Sequence, residues 1–204
     1  MSCAKCPAKP CAEANSENHW PSFCHMRQHR DIIKDAFELY RTRENKGLYI
    51  SAAEIEKEGY MKWPRIKETI EYLKMNNMKK VGLAFCIGLS DEALRTTEIL
   101  EKHGFVVYSV CCKCGNFDKT RFGVPDEKKL EPHAFEAGCN PIVQAALLDN
   151  LKTELNLILG LCVGHDILFT KYSKAPVSTF IVKDRVTGHN PVIALYTSYH
   201  KKLV

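Results

Sequence analysis

Four short segments rich in apolar residues constrain this chain more than any other feature. They occupy residues 81–86, 105–111, 155–162 and 177–183. The first, Val81 to Cys86, is continuously apolar and reads as a buried parallel strand, and the other three read as the second, third and fourth strands. Helix-length segments lie between them. Ser90 opens one as an N-cap and Gly104 stops it near His103. A second starts after Asn140-Pro141 and runs over 141–151, and a third covers 166–172. Strand–helix–strand alternation implies parallel strands joined by right-handed crossovers. The expected fold is therefore α/β, a Rossmann-like three-layer domain with a mostly parallel sheet over residues 27–204. Ahead of the first strand, the spacing predicts helices at 27–43, 51–58 and 63–75. The first carries an apolar face of Ile32, Ile33, Ala36, Phe37 and Tyr40. The second has Ser51 as N-cap with Glu54 completing a capping box, and the third has Pro64 in its first turn.

Residues 1–26 follow another rule. They hold four cysteines and three prolines (Pro7, Pro10, Pro21) and show no apolar periodicity. Such a segment cannot bury a core, so something else must order it. Cys3, Cys6, Cys11 and Cys24 are spaced C-x2-C-x4-C-x12-C. The two-residue gap turns two sulfurs toward one ion, and the later pair can close a tetrahedron. The segment is therefore expected to be a small cysteine-rich metal-binding cap. Its thiolates suit zinc or an iron–sulfur cluster. His19 and His25, within or beside this segment, could substitute as ligands but read more readily as solvated side chains.

The chain has ten cysteines in 204 residues. No apolar stretch opens the chain as a signal peptide does, and none approaches the ~18 residues that span a bilayer. The expected compartment is the cytoplasm, where thiols stay reduced and a cysteine excess points to metal or redox chemistry. A net charge of +5 with no long run of like charge argues against a nucleic-acid role. No G-x-G-x-x-G or P-loop follows a strand, which argues against a nucleotide site.

The remaining cysteines gain meaning from position. Cys86 ends the first run, Cys111 and Cys112 end the second, and Cys162 ends the third. Parallel sheets bind ligands beyond the carboxyl ends of their strands. Cys139 precedes a helix leading into the third strand, and the long aperiodic segment 112–137 can carry it to the same edge. Cys86, Cys112, Cys139 and Cys162 are thus candidate ligands of a soft metal centre. Cys111 reads equally as a packed apolar side chain, and Cys114 as an exposed bystander. Polar residues fall at the same edge. His165 can serve as acid, base or ligand. Asp166 suits a helix cap, and the amides at that helix start could receive an anion. Lys183, Arg185, His189 and Asn190 follow the fourth strand. Lys113, Gly115, Asp118, Lys119 and Arg121 lie in the long segment, where cations can offset thiolate charge or hold an anionic substrate.

Several runs together resemble a known family. They are 84–89 (Ala-Phe-Cys-Ile-Gly-Leu), 109–113 (Ser-Val-Cys-Cys-Lys), 139–142 (Cys-Asn-Pro-Ile), 160–166 (Gly-Leu-Cys-Val-Gly-His-Asp), and 182–185 with 189–191. With the opening Cys3-x2-Cys6-x4-Cys11, they are similar to domain-of-unknown-function family 1847. Its members are small cysteine-rich proteins of anaerobic bacteria and archaea, usually labelled metal-binding. Cys114 departs from the family pattern, which more often has an apolar residue there, so no ligand role is carried over to it. The resemblance implies metal binding and brings no reaction with it. The expected function is an iron–sulfur protein, with a 4Fe–4S cluster on the second cysteine group. It would act on a small sulfur-containing or anionic substrate, with Lys113, His165 and Asp166 as catalytic candidates and an electron-transfer partner. The alternative is a non-catalytic zinc carrier, sensor or assembly factor.

Overall fold

The computed structural model describes residues 3–7, 9–14 and 17–203. Residues 1, 2, 8, 15 and 16 of the expected cap lie outside the described residues. Two compact units divide the chain, residues 1–60 and 61–204.

The first unit joins the cysteine-rich segment to helices α1 (His25–Gln28), α2 (Arg30–Glu38) and α3 (Arg43–Gly59). Hydrogen bonds tie the segment to the helices. Arg27 Nη1 donates to the Trp20 carbonyl at 3.2 Å and Gln28 Nε2 to the Ser22 carbonyl at 2.9 Å. Arg30 pairs with Glu17 at 3.2 Å. The sequence places a boundary at residue 26, whereas the compact unit runs on to residue 60.

Three helix expectations change here. The helix anticipated over 27–43 is interrupted at His29, whose φ of −129° and ψ of 44° are not helical. It resumes as α2 with its apolar stripe in solvent, Ile32 being 66% and Phe37 60% exposed. The helix expected at 51–58 is part of the longer α3. Thr42 is its N-cap, and its hydroxyl accepts from the Asn45 amide at 3.3 Å. Ser51 lies inside that helix and donates back to the Gly47 carbonyl at 3.0 Å, so no capping box forms.

The second unit is an α/β fold. Helix α4 (Arg65–Met75) precedes β1 (Lys80–Phe85), and Pro64 is the residue before α4 rather than in its first turn. Then come α5 (Ser90–Lys102), β2 (Val106–Cys111), α6 (Pro141–Asn150), β3 (Leu155–Leu159), α7 (His165–Tyr172), β4 (Val177–Ile181) and α8 (Val192–Tyr196). The four strands pair in parallel in the order β2-β1-β3-β4. Side chains alternate across the strands and meet helices on both faces. Val81, Leu83, Leu155, Leu157 and Leu159 join Ile70 and Leu73 of α4 and Ala93 and Leu100 of α5 in one core. Ala84, Val110 and Ile158 join Ala145 and Leu148 of α6 and Phe169 of α7 in another. Ser90 does not cap α5 from outside, because its residue is already helical and its hydroxyl donates to the Ile87 carbonyl at 2.6 Å. Gly104, at φ 85°, ends that helix as expected. Among the described residues, no helix is long and apolar enough to cross a membrane.

The strand order fixes where a site can lie. The chain leaves β1 for β2 on one side, and after β2 crosses to β3 on the other. A crevice therefore opens between the carboxyl ends of β1 and β3, the position at which open parallel sheets take ligands.

Candidate functional site

Register brings the cysteines together. Phe85 of β1 pairs with Cys111 of β2 and Leu159 of β3, so the next residues of all three strands leave the sheet at one level. The Cys86 amide bonds the Leu159 carbonyl at 3.1 Å, and the Cys112 amide bonds the Phe85 carbonyl at 2.8 Å. Cys86 and Cys112 are thereby neighbours, and the Cys112 side chain acts on the Cys86 thiol. The long segment returns to the same place. The Asn140 amide donates to the Cys112 carbonyl at 2.7 Å, and the sulfurs of Cys139 and Cys112 are 3.7 Å apart. Beyond β3, Gly160 at φ 63° turns the chain toward Cys162.

Cations surround this group. Lys183 Nζ lies 3.4 Å from Cys86 Sγ, and Arg185 Nη2 lies 3.2 Å from Cys162 Sγ. The Arg185 charge also acts on Cys86 and Cys139. His165 hydrogen-bonds the Cys139 sulfur, with the Lys113 charge close by. Backbone amides contribute as well. The Ile87 amide donates to Cys112 Sγ at 3.4 Å, and the Gly88 amide to Cys86. A β-carbon at residue 88 would sit 3.3 Å from Lys183 Nζ, so glycine leaves room for that lysine.

These contacts sort the thiols by charge. The hydrogen bond with Cys112 lowers the Cys86 pKa to about 5 against the opposing effect of burial, assisted by the Gly88 amide and Lys183. The Cys139 thiol is lowered to about 4 by hydrogen bonds with Cys112 and His165, with Lys113 adding to it. Cys112, flanked by both sulfurs and 1% exposed, is pushed upward and keeps its proton. The bond with Cys139 raises His165, which stabilises its charged form. The three sulfurs titrate as one coupled group in which the outer two favour the thiolate and the central one the thiol, with cations around them.

Other expected site residues lie elsewhere or do structural work. Asp166 Oδ1 accepts from the Gly164 and Ile167 amides at 3.0 and 2.8 Å, and the His165 and Asp166 amides bond the Cys162 carbonyl. The α7 amides anticipated as an anion site are thus already occupied. Lys119 pairs with Glu136 within the long segment, and Lys113 Nζ donates to the Ala137 carbonyl. His189 Nδ1 accepts from the Asp184 amide at 3.1 Å, and Asn190 is an exposed residue of the same turn. Cys111 ends β2 half-buried and packs with Cys114 and Cys139 against the second core.

Gln144 is a residue the sequence reading missed. It is wholly buried on α6 and its Nε2 bridges the carbonyls of Phe85 and Val110, at 3.3 and 2.7 Å, just before both cysteine turns. Among the described residues its Oε1 finds no hydrogen-bond partner. A lone polar residue in the apolar run 141–148 was the available signal.

In the first unit, Cys3, Cys6, Cys11 and Cys24 line one cavity of about 320 Å³ with Pro10, Pro21 and Phe23. Among the described residues, no group of three or more His, Cys, Asp or Glu side chains is arranged to hold a metal ion.

Fold and site together define an α/β protein with a four-stranded parallel sheet and a cysteine cluster at the sheet's carboxyl edge. Residues 24–180 match the family described as "Protein of unknown function (DUF1847)", and the chain belongs to that family. An uncharacterized protein of Methanocaldococcus jannaschii is 46% identical over 202 residues, covering 99% of this chain and 97% of the relative.

Proposed function

We propose that this is a metal-binding protein whose cysteines Cys86, Cys112, Cys139 and Cys162 hold an iron–sulfur cluster at the edge of a Rossmann-like sheet. The carrying observation is the convergence of sulfurs from separate stretches of chain at the β1–β3 crevice, inside a ring of cations. Soft thiolates are the donors that iron–sulfur clusters and zinc take. Amide and cation contacts to sulfur are the outer-shell partners that tune such centres. Four thiolates carry more negative charge than the metal offsets, and Lys183, Arg185, Lys113 and His165 counter the remainder.

Held by all four cysteines, a bound cluster would supply electron transfer; held by three of them, it would leave one iron open to a small sulfur-bearing or anionic substrate. His165 would hold a proton beside Cys139, Arg185 and Lys183 would attract the anion, and an electron-transfer partner would serve the cluster. Asp166 braces the turn that carries His165 by accepting from the Gly164 and Ile167 amides. The N-terminal cavity, lined by four cysteines, suits zinc or a second cluster and would use that metal to order a coreless segment.

One observation favours a second reading, a single zinc ion. Thiolates about zinc, with bonds of ~2.3 Å in a tetrahedron, stand roughly 3.8 Å apart. The Cys112–Cys139 separation of 3.7 Å fits that edge.

Anaerobic purification with iron, acid-labile sulfide and zinc analysis tests both. Iron and sulfide in equal amounts with visible absorption are expected for the cluster. Colourless protein with stoichiometric zinc selects the second reading, and metal-free protein overturns both.

A further inference from the structure

We propose that Cys139 and Cys112 are a redox-active dithiol: Cys139 reacts first with a peroxide, and Cys112 then closes a disulfide with it, withdrawing two sulfurs from the centre. The geometry is already near the product. The sulfurs are 3.7 Å apart, and the Asn140 amide pins the two backbones through the Cys112 carbonyl at 2.7 Å. A disulfide needs sulfurs about 2.0 Å apart and α-carbons within about 7 Å of each other. Side-chain rotation then suffices, without moving the sheet.

Exposure sets the order of events. Cys86 and Cys112 are 6% and 1% exposed, whereas Cys139 is only half-buried. A small oxidant therefore meets Cys139 before its neighbours. The Cys139 thiolate attacks one oxygen of hydrogen peroxide, the O–O bond breaks, and hydroxide leaves. Cys139 is now a sulfenic acid, oxidised by two electrons. The Cys112 sulfur attacks the sulfenic sulfur, an S–S bond forms and the S–O bond breaks. The Cys112 proton leaves with that oxygen as water. Thiolate, thiol and peroxide thus give one disulfide, one water and one hydroxide. Cys86 retains its Lys183 contact and takes no part in the first turnover.

The disulfide rests on the thiol geometry alone, while metal release rests on the reading of the centre given above. The test uses the full chain, reduced and freed of metal, with one equivalent of hydrogen peroxide. Remaining thiols are blocked with N-ethylmaleimide, and unreduced peptides are mapped by mass. The expected first product is a Cys112–Cys139 link, which Cys86→Ser also forms and Cys139→Ser does not. A first link between Cys86 and Cys112, a lasting sulfenic or sulfinic acid at Cys139, or no link overturns the proposal; mapping of the unmutated chain decides this even where a variant fails to fold. In a second arm, zinc-loaded chain is titrated with peroxide. Zinc release in step with the link, reversed by dithiothreitol, is expected. A link that forms with zinc retained overturns the switch. A chain that never takes up zinc or iron removes the metal reading, and the first arm still decides the dithiol.

Discussion

Replacing Gly160 with alanine tests how the chain is turned from β3 into the crevice. Two costs arise there. Residue 160 has φ 63°, a conformation that costs an L-residue roughly 1–2 kcal/mol. The added β-carbon would also lie 2.7, 2.8 and 3.3 Å from three carbons of Leu89. Leu89 is fully buried, so its side chain has no free space to retreat into. Overpacking of this kind costs about 1–3 kcal/mol. The expected loss is about 2–5 kcal/mol, or roughly 4–20 °C in Tm for a chain of this size. Gly164→Ala is the matched control. Its φ is 90°, but nothing lies within 4 Å of its β-carbon, so only the conformational cost applies. Urea unfolding of both variants, with Leu89→Ala in each background, separates the terms. Leu89→Ala, itself costly at a fully buried site, should cost about 1–3 kcal/mol less in the Gly160→Ala background than in the Gly164→Ala background. Equal destabilisation by the two glycine variants, or no coupling to Leu89, would refute the steric argument.

Cys86→Ser should lower the metal content of the second cysteine group and leave far-UV circular dichroism unchanged; full metal content removes Cys86 as a ligand. Phe169→Ala empties a fully buried site between α7 and the sheet and should cost about 3–5 kcal/mol in urea unfolding; a loss under about 1 kcal/mol would contradict that packing. The segment between Cys112 and Asn140 should loosen in acid. Asp118 is held below the usual 3.8 chiefly by the Thr120 amide, Asp126 by Lys129, and Glu136 below 4.5 by Lys119. Carboxyls with depressed folded pKa values contribute stability above their ordinary values and lose it as pH falls through the folded ones. Amide exchange there, corrected for intrinsic rate, should rise between about pH 5 and pH 3, and a flat profile would contradict it.

The second unit was legible in the sequence because its central strands, β1 and β3, are buried on both faces and all four strands are marked by short segments rich in apolar residues. Cys162 and Lys183 fell outside their strands by a few residues. Gly160 and the end of β4 stop the ladder where side-chain hydrophobicity alone does not. The cysteine convergence was foreseeable from strand ends and the parallel rule. The Cys139 contribution needed the fold of a segment without periodicity. That segment is organised by charge, with Lys129 pairing Asp118 and Asp126 at 3.4 and 2.7 Å, and charge pairing leaves no periodic trace. In the first unit, periodicity identified helical residues but misread their burial. An apolar stripe reports what a helix can cover, and Ile32 and Phe37 remain in solvent.

The backbone hydrogen bond from Asn140 to Cys112 also has an evolutionary and engineering meaning. It joins the two ends of the excursion between them, and with the bonds from Lys113 to the Ala137 carbonyl and from the Gly138 amide to the Phe117 carbonyl it forms a clasp that closes the intervening residues into a lobe. Doubling the length of such a lobe adds only about 0.6 kcal/mol of closure entropy. Relatives can therefore lengthen, shorten or rewrite it, and a tag can be inserted at its tip near Glu131, without shifting the sulfurs that the clasp holds in place.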